Sequence, residues 1–138
     1  MLSIEQITPR LTWRLRSEVL YPNQPVNSMI MEEDEQGYHF GAFEDNKLVG
    51  AVSLFKHADD WQFRKLAVVA ATQKRGIGTQ LLAYITGFVE RENGTKIWCN
   101  ARLSATGFYE KLGYSRVGEE FNKNGVDYIR MERNLPVK

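Results

Sequence analysis

The spacing of apolar and polar residues changes period several times along the chain. Over 12–20, Trp13, Val19, Leu20 and the aliphatic stem of Arg16 fall on one helical face, with Thr12 placed to cap it. Tyr21-Pro22-Asn23-Gln24-Pro25 ends that helix, because proline cannot continue one. Residues 26–37, with Met29, Ile30, Met31 and the acidic run 32–35, read as a loop carrying a short helix. Three strand-like runs follow at 38–43, 48–55 and 61–69. The turn clusters Glu44-Asp45-Asn46 and His57-Ala58-Asp59-Asp60 separate them and predict an antiparallel meander. Helical spacing returns in Ile77, Leu81, Leu82, Ile85, Phe88 and Val89, and Asn93-Gly94 stops it. A buried strand is expected at 96–100, then a short helix marked by Ala105, Phe108, Tyr109 and Leu112 and ended by Gly113. The runs 114–121 and 126–131 predict a closing hairpin across Asn122-Lys123-Asn124-Gly125.

The resulting order, α-βββ-αβαββ, predicts a mixed α/β sheet with helices packed on it. The strand-helix-strand crossover adds one parallel pair. The whole of 1–138 reads as a single domain, since the chain holds 138 residues with no repeat or linker. Apolar residues make up 43% and charged residues 25%, as in an average globular chain. Lys and Arg number 18 against 17 acidic residues, for a net charge of +1. That excludes the basic footprint of a dedicated nucleic-acid binder. Cys99 stands alone, so neither an internal disulfide nor a thiolate metal cluster is expected. No apolar run approaches the ~20 residues of a membrane helix, and no signal peptide is seen. The expectation is a cytoplasmic protein without metal, membrane or nucleic-acid partner.

Candidate chemistry lies after the third strand. There Gln73-Lys74-Arg75-Gly76-Ile77-Gly78-Thr79 leads into a helix. Backbone N–H groups at a helix start lack intrahelical partners and, with the helix dipole, favour an anion. The two glycines allow close approach, and Lys74 and Arg75 add charge. A glycine turn carrying two solvated cations explains the same residues. A mononucleotide P-loop would need lysine after the last glycine, where Thr79 stands; a dinucleotide fingerprint would need a third glycine, where Leu81 stands.

Two motifs in order resemble the GNAT superfamily of acyl-CoA-dependent N-acetyltransferases. One is Leu66-Ala67-Val68 running into Gln73-Lys74-Arg75-Gly76-Ile77-Gly78. The other is Phe108-Tyr109-Glu110-Lys111-Leu112-Gly113-Tyr114. Gly125-Val126-Asp127-Tyr128-Ile129-Arg130-Met131 resembles a strand of small bacterial members, with Asp127-Tyr128 where they carry Pro-His.

The resemblance implies a mostly antiparallel sheet splayed at its parallel pair, with helices on both faces, and acetyl-CoA as co-substrate. Its pantetheine would pair with the backbone of Leu66, Ala67 and Val68. Its pyrophosphate would rest on the amides of Gln73, Lys74, Arg75, Gly76, Ile77, Gly78 and Thr79. Asn100, Phe108 and Lys111 would complete the cofactor site. Tyr109 would protonate the departing thiolate as an amine attacks the thioester, since a phenol with pKa ~10 is protonated at neutral pH. Tyr109 also fits a core position on the face of Ala105, Phe108 and Leu112. Arg16, His39 and Tyr128 would face the acceptor, a primary amine of a small molecule or peptide. His39, Glu44 and Asp127 are alternative general bases. A homodimer is compatible with this reading. So is a second one, an acyl-CoA-binding sensor or interaction module without catalysis, because 61–65 offers no carboxylate.

Overall fold

The computed structural model describes residues 2–137, apart from the side chains of Gln73 and Lys74. It begins with β1 (Leu2–Ile7), α1 (Arg10–Leu15), a π-helical turn Arg16–Leu20, and 3-10 turns Val26–Met29 and Glu32–Gln36. Next come β2 (Tyr38–Glu44), β3 (Lys47–His57), β4 (Asp60–Val68), a 3-10 turn Ala70–Arg75 and α2 (Ile77–Arg91). The chain finishes with β5 (Lys96–Arg102), a 3-10 turn Leu103–Ala105, α3 (Thr106–Lys111), β6 (Ser115–Lys123) and β7 (Val126–Asn134). The strand order is β1-β2-β3-β4-β5-β7-β6. The parallel ladder of β4 and β5 registers Asp60↔Lys96, Trp61↔Ile97 and Gln62↔Trp98. The ladders β1–β2, β2–β3, β5–β7 and β6–β7 are antiparallel. This is the mixed, mostly antiparallel sheet expected, with one strand added at the start.

That strand, β1, escapes the hydrophobic pattern because it lies at the sheet edge, with Ser3, Glu5 and Gln6 exposed. Its ladder runs from Leu2↔Glu44 to Ile7↔His39. The first helix also starts earlier than expected, at Arg10 behind Pro9, whose φ of −58° suits a helix start. Thr12 does not cap it; its hydroxyl donates back to the Pro9 carbonyl at 2.6 Å. From Arg16 the helix widens, and the Tyr21 amide donates to the Arg16 carbonyl five residues back, at 3.1 Å.

The chain forms two compact units, Met1–Phe55 with Phe63–Gly87 and Lys56–Gln62 with Phe88–Lys138. In the first, adjacent β3 residues point to opposite faces of the sheet. Ala51 packs with Leu15 and Ala67, against Val19, Leu20, Leu48 and Val69. α1 and its π-turn therefore cover that face. A Cβ on Gly50 would lie 3.0 Å from Leu81 and 3.1 Å from Ile77, so α2 covers the other face. Asp45 and Asn46 both take positive φ, 51° and 66°, giving the tight β2–β3 hairpin.

In the second unit, Trp61 is buried and meets Phe88 edge-on at 5.9 Å. Ile97, Cys99 and Ala101 of β5 face inward with Ile129 and Met131 of β7. On the opposite side the Arg130 guanidinium lies 3.8 Å from the centre of the Trp98 ring. Glu132 accepts from Arg130 at 2.6 Å and pairs with Lys96 at 3.2 Å. Burial pushes its carboxyl up, but these two cations outweigh it and hold the group below its usual range. Asn124 and Gly125, at φ 53° and 82°, form the expected β6–β7 turn.

Candidate functional site

The candidate anion-binding turn lies in the first unit. The Val69 amide donates to the Val49 carbonyl at 2.8 Å and fixes the end of β4 on β3. The 3-10 turn that follows ends at Gly76, whose φ of +77° is left-handed, and α2 opens at Ile77. The Gln80 amide bonds the Gly76 carbonyl at 3.0 Å. The amides of Ile77, Gly78 and Thr79 precede it, where a helix leaves its donors unpaired. Among the described residues a Cβ on Gly76 would meet nothing within 4 Å, so the space beside this glycine is open. Helix-start amides at the positive end of the dipole, beside open space, fit a phosphate group. Arg75 is beside this turn, and its Nη2 sits 2.7 Å from Glu44 Oε2. The side chains of Gln73 and Lys74 lie outside the described residues. Along β4, Ala67 is buried while Leu66 and Val68 are half-buried. A cleft of about 280 Å³, lined by Glu18, Val19, Val69 and Ala70, opens where β4 ends.

Arg16 and His39, expected at the acceptor, are interior residues. Arg16 grips Asp34 through two parallel bonds of 2.9 Å, and donates at the same distance to the Met29 carbonyl and Ser53 Oγ. Ser53 Oγ lies 2.8 Å from His39 Nδ1, and His39 Nε2 lies 2.8 Å from the Asp34 carbonyl. A carbonyl only accepts, so Nε2 carries the proton and Nδ1 accepts from Ser53. The hydrogen bonds thus run one way, from Arg16 through Ser53 and His39 to the Asp34 backbone. Trp13 Nε1 and the Met31 amide also donate to Asp34 Oδ2, at 3.1 and 2.9 Å. None of Arg16, Asp34, His39 and Ser53 is more than 2% exposed. Burial, reinforced by Arg16, holds His39 below its usual 6.5 against the opposing pull of Asp34. Burial pushes Asp34 up, but its bonds from Arg16, Met31 and Trp13 win and keep it below the usual carboxylate range. Sequence reasoning misses Asp34 because it stands in an acidic run that reads as solvated, and Ser53 because nothing local distinguishes it.

In the second unit, Tyr109 on α3 is 9% exposed, with its ring centre 5.0 Å from Phe108 and 5.8 Å from Tyr114. Burial raises its phenol well above the usual value, and Cys99 adds to the effect. The group is therefore a hydrogen-bond donor at any neutral pH. Burial also pushes the Cys99 thiol up to about 12, which makes it a poor nucleophile. Asn100 is exposed on β5 opposite Arg130 in register, and Phe108 and Lys111 are exposed on α3. Tyr128 stacks on Phe121 at 5.7 Å, and Asp127 accepts from Asn122 at 2.9 Å. Among the described residues no group of three or more His, Cys, Asp or Glu could hold a metal. No helix among them is long and apolar enough to cross a membrane.

Known proteins carry the same architecture. YitI of Bacillus subtilis, an uncharacterized N-acetyltransferase, is 28% identical over 98% of this chain and 97% of its own. A candidate N-acetyltransferase of Lactobacillus plantarum superposes with a TM-score of 0.88 at 18% identity, over 98% of this chain and 99% of that one. A GNAT family acetyltransferase of Elizabethkingia anophelis, with acetyl-CoA bound, gives a TM-score of 0.76 at 20% identity, over 97% and 98%. The family model of the acetyltransferase (GNAT) domain matches residues 7–135. With both motifs inside that match, the chain belongs to the GNAT family of acyl-CoA-dependent N-acetyltransferases.

Proposed function

We propose that residues 1–138 form one domain that moves acetyl from acetyl-CoA to a primary amine of a small molecule or peptide, by direct attack in a ternary complex. The observation that carries this reading is the open turn at Gly76, set between β4 and the start of α2. The amides of Ile77, Gly78 and Thr79 hold the pyrophosphate, with Arg75 beside them. The backbone of Leu66, Ala67 and Val68 pairs with the pantetheine amides, which asks nothing of their side chains. Acetyl-CoA supplies a thioester whose carbon is open to attack by an amine. Tyr109 donates its phenolic proton toward the sulfur as the C–S bond breaks, a contribution of ~10²–10⁴-fold in general acid catalysis. Asn100, Phe108 and Lys111 are proposed as further cofactor contacts, and Tyr128 as an acceptor contact.

The general base is a narrower question than the sequence left it. Both ring nitrogens of His39 are engaged, Glu44 is paired with Arg75, and Asp127 accepts from Asn122. These engaged carboxylates and histidine favour the second reading, acyl-CoA binding without turnover, as the one to test against. Thiol release from acetyl-CoA, followed across a panel of amines alongside calorimetry of coenzyme A binding, separates the two. Amine-dependent release supports transfer. Tight binding with no release from any amine supports the sensor.

A further inference from the structure

β5, β7 and β6 lie side by side at one end of the sheet. Their registers set Arg102 opposite Tyr128, and Tyr128 opposite Phe121. Directly opposed residues point to the same face, with Cβ atoms about 4.5–5.5 Å apart. These three side chains therefore form one row across three strands, on the face away from buried Cys99, Ala101 and Ile129.

Two features set the row apart. The rings of Phe121 and Tyr128 stack with centres 5.7 Å apart and planes only 21° from parallel. Phe121 is still 39% exposed, so part of its ring is left for a further ring. Arg102 is exposed, and among the described residues it makes no ion pair or side-chain hydrogen bond. Other cations of this face are committed. Arg130 covers the Trp98 ring at 3.8 Å and donates to Glu132 at 2.6 Å, and Glu132 also takes Lys96 at 3.2 Å. There the charges and the ring are matched within the protein, whereas the row at Arg102 leaves both its charge and its ring unmatched. Lys123, two residues beyond Phe121, adds a second positive charge. The nearby carboxylate of Asp127 belongs to the opposite face and accepts from Asn122 at 2.9 Å.

The ligand chemistry follows from these groups. A guanidinium is a planar fork that matches a carboxylate, and a stacked aromatic pair offers its face to another planar ring. Asn100, on the same face two residues before Arg102, is proposed above for the cofactor, and Tyr128 for the acceptor. We propose that Arg102, Tyr128 and Phe121 select an acceptor amine attached by a short link to a planar ring that bears a carboxylate. The ring rests on Phe121 and Tyr128, and the carboxylate on Arg102. This rests on the acetyl-transfer reading above.

The test uses the full chain with three acceptors of similar length. They are para-(aminomethyl)benzoate, benzylamine, which lacks the carboxylate, and trans-para-(aminomethyl)cyclohexanecarboxylate, which lacks the planar ring. The benzoate should exceed benzylamine by roughly tenfold or more in kcat/KM. It should exceed the cyclohexane compound by roughly threefold or more. Arg102→Gln should abolish the first preference through KM and keep the second. Arg102→Lys should restore it in part, because an ammonium keeps the charge and loses the fork. Phe121→Leu should abolish the second preference and keep the first. Arg102 and Phe121 are exposed, so these changes leave the fold intact. Equal or better turnover of either counterpart, an unchanged ratio in Arg102→Gln or Phe121→Leu, or acetylation of none of the three would overturn the proposal. So would a native dimer that Phe121→Leu dissociates, since the row would then belong to a second copy. Calorimetry with coenzyme A keeps two failures apart. Binding with the wrong preference sinks the acceptor row alone, whereas no binding sinks the acetyl-transfer reading and this inference with it.

Discussion

Arg16 and Asp34 meet through two parallel hydrogen bonds of 2.9 Å, with side chains only 1% and 2% exposed. Removing one member of a buried pair strands the other charge, at a typical cost of about 3–5 kcal/mol. Asp34→Ala should lower stability to urea by that amount. The joint change of Arg16→Met with Asp34→Leu should cost far less than the two single changes summed. A loss below about 1 kcal/mol for Asp34→Ala would show that the pair does not hold segment 26–36 in place.

The same cluster gives stability a pH dependence. His39 titrates below its usual 6.5 in the fold, because burial disfavours its charged form. Below pH ~6.5 the unfolded chain therefore binds a proton that the folded chain refuses, and stability falls as pH drops toward the folded value. Asp34 acts in a separate, more acidic window. Its contribution is complete above its usual 3.8 and is lost as pH falls through its lowered folded value. Urea midpoints between pH 8 and 4.5 should decline for the native chain and decline less for His39→Gln. Parallel curves would remove His39 from the explanation.

Gly76 supplies both a left-handed turn and an open approach. Gly76→Ala forces a side chain into φ +77°, at a cost of about 1–2 kcal/mol in stability. Its Cβ would meet no described residue within 4 Å and would stand beside the turn proposed for phosphate. Coenzyme A should bind at least roughly tenfold more weakly. S-acetylpantetheine, which lacks the pyrophosphate, should lose much less in kcat/KM. Equal losses for both would place the phosphates elsewhere.

Arg75 and Glu44 form an exposed pair, with side chains 55% and 21% accessible, and such pairs contribute about 1 kcal/mol or less. Glu44→Gln should barely change the thermal midpoint. Arg75→Ala should weaken coenzyme A binding and flatten its dependence on salt, since one phosphate-facing charge is gone. An unchanged salt slope would mean that Arg75 serves only Glu44.

Much of this architecture follows from local patterns. The Asp45-Asn46 and Asn124-Gly125 turns sit where their residue types predict, and Ile77, Leu81, Leu82 and Ile85 mark the buried side of α2. The glycine turn and Tyr109 are likewise visible in short motifs. What stays hidden depends on partners distant in sequence. An edge strand such as β1 needs few apolar residues, so its alternation is faint. Asp34 looks like Glu32, Glu33 and Glu35 until Arg16, eighteen positions away, meets it. Lys65 looks like an ordinary strand cation until its φ of +59° and its hydrogen bond to Tyr21 Oη are seen.

Acetyl transfer assisted by Tyr109 is tested most directly by one measurement, the rate of thiol release from acetyl-CoA with the best amine of a panel, in the native chain and in Tyr109→Phe. The variant keeps the ring that packs on Phe108 and Tyr114 and loses only the hydroxyl. Amine-dependent release that falls roughly 10²-fold or more in Tyr109→Phe, with coenzyme A affinity unchanged, is the expected result. Equal rates in the two proteins, or no amine-dependent release from a chain that binds coenzyme A, would contradict it.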